Sequence, residues 1–427
     1  MRRDILPAAA ALALFGGSEA SAQSLRTAQD RTADLFARDR AVAVRDRPQP
    51  AYDALGIRTG GFTVFPRLQL DVVQDDNVFA SDDAPQAATT FRLRPEIVAR
   101  SNWSRHALQA HGRAVIDRNL DFDSENTTDW GLGAAGRLDV VRGAEIVASA
   151  DYAKAHEART AAGADPITQR PVAFNLASAH LGAERAMGRL RVSARAAVHR
   201  YDYRDGFSDT RALVEQDDRD RTVFTLIGRA DYALSPATAI FLQVIGDDRD
   251  YEQVAGRPLR TSSGYQTLTG VDFELGALVR GEIAAGYIRQ DFEDAAFGDL
   301  DGFGGRAKLS WFPTQLTTVT AAAARTVEDT GVIGAAGALR TDLSLTVNHE
   351  LLRNLILTAQ ATYADDAYNG LARTDTRLGA GISAAYRVNR RYGFTAGLTW
   401  LDQSSSGAAQ GPSYRNTRFY VGSTAQF

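Results

Sequence analysis

The sequence contains no cysteine among its 427 residues, and its formal net charge is only −4. The absence of cysteine excludes disulfide bonds and thiolate chemistry. Nothing in so small a net charge points to nucleic-acid binding, so we expect no nucleic-acid partner. Beyond the N-terminus there is no apolar run of about 18 residues, which excludes a protein that spans a membrane on helices.

Patterns for catalysis and cofactor binding are missing as well. No serine lies in a hydrolase signature, no glycine-rich loop has the spacing that cradles phosphate, and the acidic stretches lack EF-hand spacing. The six histidines form no cluster with the spacing of metal ligands (His106, His111, His156, His180, His199 and His349). We therefore predict no metal, no cofactor and no enzymatic activity, and a hydrolase is the least favoured alternative.

The N-terminus has the three parts of a secretory signal. Arg2 and Arg3 are followed by an apolar run from Ile5 to Phe15 and by a small-residue cleavage site before Gln23. Residues 1–22 are therefore expected to be a cleaved signal peptide. The polar residues 23–60 are expected to form a periplasmic segment, and either a disordered tail or a plug that enters the rest of the protein fits their composition.

From Phe62 to Phe427 apolar and polar side chains alternate with a period of two. In "FTVFPRLQLDVV" the side chains of Leu68, Leu70 and Val72 share one face, while those of Arg67 and Asp71 share the other. The same alternation runs through "RLRVSARAAVHR" at 189–200 and through the last residues, "TRFYVGSTAQF". Charges confined to one face of segments of about 9–11 residues are typical of strands that cross a membrane.

Short and long connections take turns between these segments. Eight short turns are expected near residues 102–105, 141–144, 186–188, 235–237, 276–278, 313–315, 352–354 and 389–390. Nine long polar loops are expected near 75–88, 117–128, 154–170, 202–220, 247–263, 291–301, 328–338, 364–373 and 402–414. Residues 61–427 are thus predicted to form an all-β, transmembrane, antiparallel up-and-down barrel of about 18 strands, with short periplasmic turns and long extracellular loops. Sixteen strands remains the alternative.

Aromatic residues fit the same frame. Those beside turns or loops are expected to form the two girdles at the membrane interfaces (Trp103, Trp130, Trp311, Tyr386, Tyr392 and Trp400). Phe427 lies at the end of the last strand, and we expect the barrel-assembly machinery to recognise it. Outer-membrane lipid and lipopolysaccharide are the expected surroundings.

Residues 51–118 carry a more specific pattern. It comprises Tyr52, Asp53, Leu55-Gly56, Phe62, Phe65-Pro66, the run Asp75-Asp76-Asn77-Val78-Phe79, Arg94-Pro95 and the run from Ser101 to His106. With these residues the chain resembles the outer-membrane β-barrel porin family (type 2) of alphaproteobacteria, whose members often accompany exopolysaccharide or capsule synthesis and export genes. The resemblance implies an outer-membrane location, a link to surface polysaccharide and periplasmic polysaccharide-export proteins as partners. It implies no binding or catalytic residues.

Arginine dominates the face expected to line the pore. The pore-lining candidates are Arg67, Arg92, Arg94, Arg113, Arg137, Arg191, Arg195, Arg229, Arg280, Arg306, Arg377 and Arg418, whereas the inward acids are Asp71, Glu96, Asp117, Asp139, Asp231, Asp272, Glu282 and Asp342. Rings of arginine favour anions in a pore. We therefore expect passage or export of anionic polysaccharide or small anions.

Two other interpretations of these arginines stay open. Lys154 and Lys308 are the only lysines, so the abundance of arginine can reflect a compositional bias of the genome. Arginine–acid ladders can also brace neighbouring strands without selecting any solute. The main functional rival is a non-conducting barrel that anchors polysaccharide or an export partner.

Overall fold

The computed structural model of the chain describes residues 42–164 and 168–427. The predicted signal peptide, residues 1–22, and the first part of the predicted periplasmic segment, up to residue 41, lie outside the described residues. Within the described residues, no helix is long and apolar enough to cross a membrane.

Eighteen long strands make up almost all of the described chain. They are β1 (Phe62–Asp75), β2 (Ala88–Ser101), β3 (Ala107–Asn119), β4 (Thr127–Val141), β5 (Ala144–His156), β6 (Ala173–Met187), β7 (Leu190–Tyr203), β8 (Arg221–Ser235), β9 (Thr238–Tyr251), β10 (Ser262–Leu275), β11 (Val279–Phe292), β12 (Leu300–Thr314), β13 (Thr317–Glu328), β14 (Gly337–Leu352), β15 (Leu355–Asn369), β16 (Thr374–Arg387), β17 (Tyr392–Ser406) and β18 (Tyr414–Gln426).

Each strand pairs antiparallel with its neighbours in the chain, and the last strand returns to the first. The β1–β18 ladder runs from Arg67 opposite Gln426 to Asp75 opposite Arg418. The sheet is therefore a closed barrel of 18 strands, which confirms the predicted fold class and excludes the alternative of sixteen. Closure also leaves no strand edge without hydrogen-bond partners, which a β-structure in hydrocarbon requires.

Side chains alternate between the two surfaces of the barrel as the sequence predicts. On β1, Leu68 and Leu70 are 45% and 46% exposed on the outside, whereas the inward Asp71 is 1% exposed. The outward positions of the other strands are likewise rich in exposed leucine, isoleucine, valine and aromatic residues. The inside of the cylinder is polar and the outside apolar, which is the distribution of a barrel that contacts lipid.

The connections largely follow the predicted alternation of eight short turns and nine longer loops, except that the loop 370–373 between β15 and β16 is as short as a turn. The strands, however, run further on the loop side than predicted. For example, β15 continues to Asn369, through residues that the sequence assigns to a loop. The reason is that polar residues there keep the strand period, because acids pair with arginines across the ladder. Outside the hydrocarbon the outer face no longer has to be apolar, so the sequence signal of the strand is lost.

Several shorter elements lie next to the barrel. Ile57–Thr59 folds back on the start of β1, and Gly206–Phe207 pairs with Leu213–Val214 in the loop between β7 and β8. Val44–Asp46 forms a 3-10 turn near the beginning of the described chain, and two further 3-10 turns, Asp123–Glu125 and Asp217–Arg219, lie in loops. These pieces place loop residues and the N-terminal segment at the two openings of the barrel.

Candidate functional site: the lumen and its openings

Most of the inward arginines are held against the wall by acids. Arg92 donates two hydrogen bonds of 2.7 Å to Asp117 on the next strand, and Arg94 forms an ion pair with Asp71. Eight of the twelve predicted pore-lining arginines make such pairs (Arg92, Arg94, Arg137, Arg191, Arg229, Arg306, Arg377 and Arg418). Their charges are therefore largely neutralised, which supports the interpretation of these residues as braces between strands.

The other four arginines differ in their surroundings. Arg195 and Arg280 have partners of their own, and the guanidinium of Arg280 lies 5.3 Å from the Phe312 ring centre. Arg113 is exposed and forms no ion pair with any residue in the described part of the chain. Arg67 donates to the Gln69 side chain at 3.1 Å instead of to an acid.

Arg67 and Arg113 belong to one row of the sheet. Arg67 stands opposite Glu96 on β2, and Glu96 in turn stands opposite Arg113 on β3. This row holds two guanidinium groups and one carboxylate, so it carries an excess positive charge. It is the clearest cationic feature of the described lumen.

A second group of charges lies deep in the wall of β8 to β12. The guanidinium of Arg229 bridges Asp231 and Glu282 at 2.7 Å each, and it stacks 3.6 Å above the Phe241 ring. Arg306 donates to the other oxygen of Glu282 at 2.8 Å. These side chains tie together strands that are not direct neighbours and are almost fully buried, so they stiffen the wall and present little charge to a solute.

Phe241 fits against the wall because a glycine lies beside it. A Cβ atom at Gly270 would lie 2.5 Å from the Phe241 ring and 2.4 Å from the Ile283 carbonyl oxygen. Any larger residue would push the ring away from the wall. The local absence of a side chain thus allows the arginine–aromatic stack above it.

The extracellular opening is crossed by the segment 157–164, which follows β5. Gly163 packs on Thr330 and Gly331, in the loop between β13 and β14, eight strands further around the ring. A Cβ atom at Gly163 would lie 2.6 Å from the Thr330 hydroxyl oxygen, and the residue has a φ of +69°, so glycine is needed on both counts. The segment therefore reaches from one side of the opening to the other.

The same segment also contacts the loops near the first and last strands. Arg159 and Ala164 line a cavity of about 20 Å³ together with Phe79, Arg373 and Tyr414. Such a space holds about one water molecule. The loops are therefore closely packed where they meet over the lumen.

Ion pairs hold this segment to its neighbours. Glu157 accepts hydrogen bonds of 2.6 and 3.1 Å from Arg219, whose guanidinium lies 4.1 Å from the Tyr203 ring centre. Arg159 forms a pair of 2.7 Å with Glu125 in the loop between β3 and β4. The side chains of both pairs are less than a tenth exposed, so removal of either partner would leave a buried charge without compensation.

Asp329, at the beginning of the loop after β13, joins the far side of the opening to β8 and β9. It accepts hydrogen bonds of 2.9 Å from Arg221 and from Arg249. Burial alone would raise the pKa of Asp329, but the two guanidinium groups outweigh it and hold the pKa well below its usual range. The carboxylate therefore stays charged and joins the end of β13 to the neighbouring pair β8 and β9.

The periplasmic opening is narrowed from inside by the N-terminal segment. The backbone N–H of Val44 donates to the Thr318 hydroxyl of β13 at 3.0 Å. Arg45 donates to Asn348 of β14 at 2.9 Å and to Thr358 of β15 at 2.8 Å. Val44 and Thr318 are both 1% exposed, so this contact is a closely packed part of the inner surface.

The segment continues along the wall to the last strand. Asp53 forms an ion pair of 3.0 Å with Arg387 of β16, and the Tyr52 carbonyl accepts a hydrogen bond of 3.4 Å from Gln426 of β18. The chain then folds back through Ile57–Thr59 into β1. Residues 44–53 thus follow the inner rim across the ends of six strands.

The aromatic residues predicted at the membrane interfaces all have exposed side chains. Trp103, Trp130, Trp311, Tyr386, Tyr392 and Trp400 are 37–54% exposed. Phe427 is 50% exposed, and its backbone N–H donates to the Pro66 carbonyl at 3.2 Å. Their roles as girdle residues and as an assembly signal stay predictions.

Sequence reasoning missed several of the acids that pair with the predicted arginines. Asp75 accepts from Arg418 at 2.6 Å, Glu184 lies 3.2 Å from Arg191, and Asp366 pairs with Arg377. Asp75 and Asp366 fall in stretches that the sequence assigns to loops. Their even spacing from neighbouring inward residues was the signal that could have found them.

No group of three or more histidine or acidic side chains in residues 42–164 and 168–427 has the geometry of a metal site. The lumen has a polar, ion-paired wall with one cationic row and two narrowed openings.

A closed β-barrel with an apolar outer surface and a polar interior is the architecture of outer-membrane pore proteins. A comparison of the sequence with known protein families supports this class and identifies the family within it. The family model described as "Putative beta-barrel porin 2" matches residues 49–427, so the chain belongs to this family of outer-membrane barrels.

The solved structures named below are similar to the chain in fold and distant from it in sequence. No curated protein sequence matches it. Among solved structures, OpdK of Pseudomonas aeruginosa with vanillate is 11% identical over 85% of this chain and 99% of that chain, with a TM-score of 0.45. OccK2 (OpdF) of the same organism is 11% identical over 86% and 98%, with a TM-score of 0.46. The siderophore receptor PiuA from Acinetobacter baumannii is 9% identical over 87% and 82%, with a TM-score of 0.48.

Asp220, just before β8, makes the extracellular loops sensitive to pH. Burial raises the pKa of Asp220 to about 6, and the nearby carboxylates of Asp202, Asp217 and Glu252 act in the same direction, although the Tyr203 N–H opposes them. In the unfolded chain this carboxyl group has a pKa of about 3.9. Between about pH 4 and pH 6 the carboxyl group of Asp220 is therefore protonated in the folded loop and ionised in the unfolded loop. The stability of the folded loop falls as pH rises through that window.

We therefore expect a protease to cleave the loop 204–220 faster at pH 7.5 than at pH 5. The variant Asp220→Asn lacks the titrating carboxyl group and corrects for the pH dependence of the protease itself, so the ratio of the two cleavage rates should be larger in the unchanged protein than in this variant. Asp209→Asn, at an exposed position of the same loop, is the matched control and should behave as the unchanged protein does. Equal pH dependence in all three proteins would contradict the role of Asp220. Limited proteolysis of the detergent-solubilised barrel, followed by mass spectrometry, measures the effect.

Proposed function

We propose that the protein is a narrow outer-membrane pore for small hydrophilic solutes, with a preference for anions. The observation that carries the proposal is the segment 157–164, which spans the extracellular opening of a barrel otherwise wide enough for a water-filled channel. In this proposal the barrel supplies the path, and the segment sets its width. Transport depends on size and on charge, and no reaction takes place.

Size selection follows from the contacts at the two ends. At the extracellular end, the contact of Gly163 with Thr330 divides the opening. At the periplasmic end, residues 44–53 lie on the inner rim and occupy part of the cross-section. A solute that enters the lumen must therefore pass beside both segments, which favours small molecules over polymers.

Charge selection follows from the row of Arg67, Glu96 and Arg113. The paired arginines elsewhere offer little net charge, whereas this row has one cation in excess and Arg113 is exposed to the lumen. Guanidinium groups bind carboxylate or phosphate oxygens in a two-pronged geometry. Small anionic solutes are therefore the expected cargo.

Passage of an anionic polysaccharide is a different cargo for the same pore, because a polymer is what the two narrowed openings disfavour. It is supported by the resemblance on residues 51–118 and requires the segment 157–164 to move aside. The second candidate function is a non-conducting anchor, and the close packing of the extracellular loops is the observation that favours it. Conductance separates the two candidates.

Deletion of residues 159–164 should increase the single-channel conductance several-fold, because it removes the segment that spans the opening. Deletion of residues 82–85, which form an exposed loop tip, is the matched control and should leave the conductance unchanged. The measurement is the current through single barrels in planar bilayers. Heat-modifiable migration in gels verifies that both variants are folded.

The two candidates predict different currents. A small current in the unchanged protein that grows after the deletion supports the restricted pore. The absence of current in the unchanged protein and in both deletion variants would favour the anchor. An equal, large current in all three would show that segment 157–164 does not limit the opening.

A second test concerns charge selection. Combined Arg67→Gln and Arg113→Gln should lower the anion-over-cation permeability ratio, on the order of twofold, because the excess charge of the row is lost. Combined Arg92→Gln and Asp117→Asn removes one charge of each sign and should leave the ratio unchanged. Reversal potentials under a salt gradient give the ratio. A shift in the second variant without a shift in the first would contradict the proposal.

A further inference from the structure

Three basic side chains on the outer surface of the barrel stand at the same height. Each lies ten or eleven positions after the first residue of its strand: Arg118 on β3, Lys154 on β5 and Arg200 on β7. All three belong to the outward-facing set, and all three are exposed. Because about 9–11 residues of a tilted strand cross the hydrocarbon layer, these side chains lie where that layer ends on the extracellular side.

None of the three has an acidic partner within the described residues. Arg118 donates to the carbonyls of Asp117 and Thr127 at 2.7 and 2.8 Å and to the Thr128 hydroxyl at 3.1 Å. These neutral contacts orient its guanidinium and leave its charge uncompensated. Lys154 and Arg200 form no ion pair in residues 42–164 and 168–427.

The rest of the rim at this height is different. β9 and β15 carry the acids Asp248 and Asp365 at the tenth position after their first residues. Arg289 of β11, at the same height, forms an ion pair of 2.7 Å with Asp291, which neutralises its charge. Another such pair joins β17 to β18, Asp402 with Arg415, also at 2.7 Å. Over β3 to β7 the outward acid nearest to these cations, Asp202 of β7, pairs with Arg204 at 3.6 Å. The positive charges of Arg118, Lys154 and Arg200 therefore stay uncompensated.

Between these cations and the middle of the membrane, the outer surface carries the aromatic and apolar side chains that contact lipid. Lys154 stands directly opposite Trp130 in the sheet, and the rings of Trp130 and Tyr152 lie 5.7 Å apart. Closer to the middle of the membrane, Leu132 and Leu181 are 60% and 58% exposed. An apolar wall, an aromatic pair and a cation follow one another towards the extracellular side, which is the order of acyl chain, interface and headgroup in a membrane lipid.

We propose that Arg118, Lys154 and Arg200 bind the phosphate groups of lipid headgroups in the outer leaflet. Phosphate is the anionic group found at this depth of a membrane, and both arginine and lysine bind it. Adjacent strands are about 4.8 Å apart, so cations on alternate strands are separated by about 10 Å across the sheet. The patch therefore spans a headgroup that carries more than one phosphate, or two adjacent headgroups. This inference does not depend on whether the barrel conducts.

The test compares lipid binding by the full chain in a neutral detergent. The probe is a lipid with a diphosphorylated glucosamine headgroup, and bound copies are counted by native mass spectrometry. The triple variant Arg118→Gln, Lys154→Gln and Arg200→Gln should bind it more weakly, on the order of 10- to 100-fold. The variant Arg289→Gln with Arg415→Gln is the matched control, because these cations stand on the same rim but are already paired with acids.

Two further arms identify the ligand chemistry. The same lipid without phosphates should bind the unchanged protein no better than it binds the triple variant. Inorganic phosphate at the same concentration as the lipid should fail to displace it, because the acyl chains contribute to binding. Equal binding of the phosphorylated lipid by the unchanged protein and the folded triple variant would overturn the proposal. Full displacement by inorganic phosphate would also overturn it, since the patch would then be a site for a free anion.

Discussion

The whole structure depends on the pairing of backbone hydrogen bonds around a closed cylinder. Hydrocarbon offers no partner to a free N–H or C=O group, so a strand that crosses it must be paired on both sides. The ladder between β1 and β18 provides the last of these pairings. Once the sheet is closed, the period of two decides everything else: alternate side chains face lipid, and the others face the lumen.

Closure of eighteen strands creates a lumen that the chain then partly fills. Segment 157–164 crosses one end, and residues 44–53 follow the rim of the other. Between them, arginine–acid pairs line the wall. Such buried pairs add little net stability, but the loss of one partner is costly, so they fix the positions of strands and loops more than they strengthen the barrel. The arrangement leaves Arg67 and Arg113 to give the lumen its residual charge.

The sequence predicts the strand segments inside the hydrocarbon layer correctly, but it does not predict how far the strands continue into water. Leu68 and Asp71 reveal their faces because one contacts lipid and the other the lumen, and the turns follow from the lengths between strands. Beyond the membrane no such contrast exists, so the sequence predicts a loop where β15 in fact continues to Asn369. The contact of Gly163 with Thr330 joins residues far apart in the chain, and neither residue type is distinctive by itself. Nor does a list of inward arginines show which ones are paired, because that depends on neighbours such as Asp366, which lies in the part of β15 that the sequence assigns to a loop.

Cross-linking of the first strand to the last tests the closed cylinder most directly. Leu70 and Ser423 face each other across the β1–β18 ladder, and the chain has no cysteine of its own. The protein with Leu70→Cys and Ser423→Cys should form an intramolecular disulfide on oxidation, seen as a reversible change in the mobility of the heat-denatured monomer, while each single variant remains unchanged. Disulfides that form only between separate molecules, or none at all, would contradict closure of the barrel.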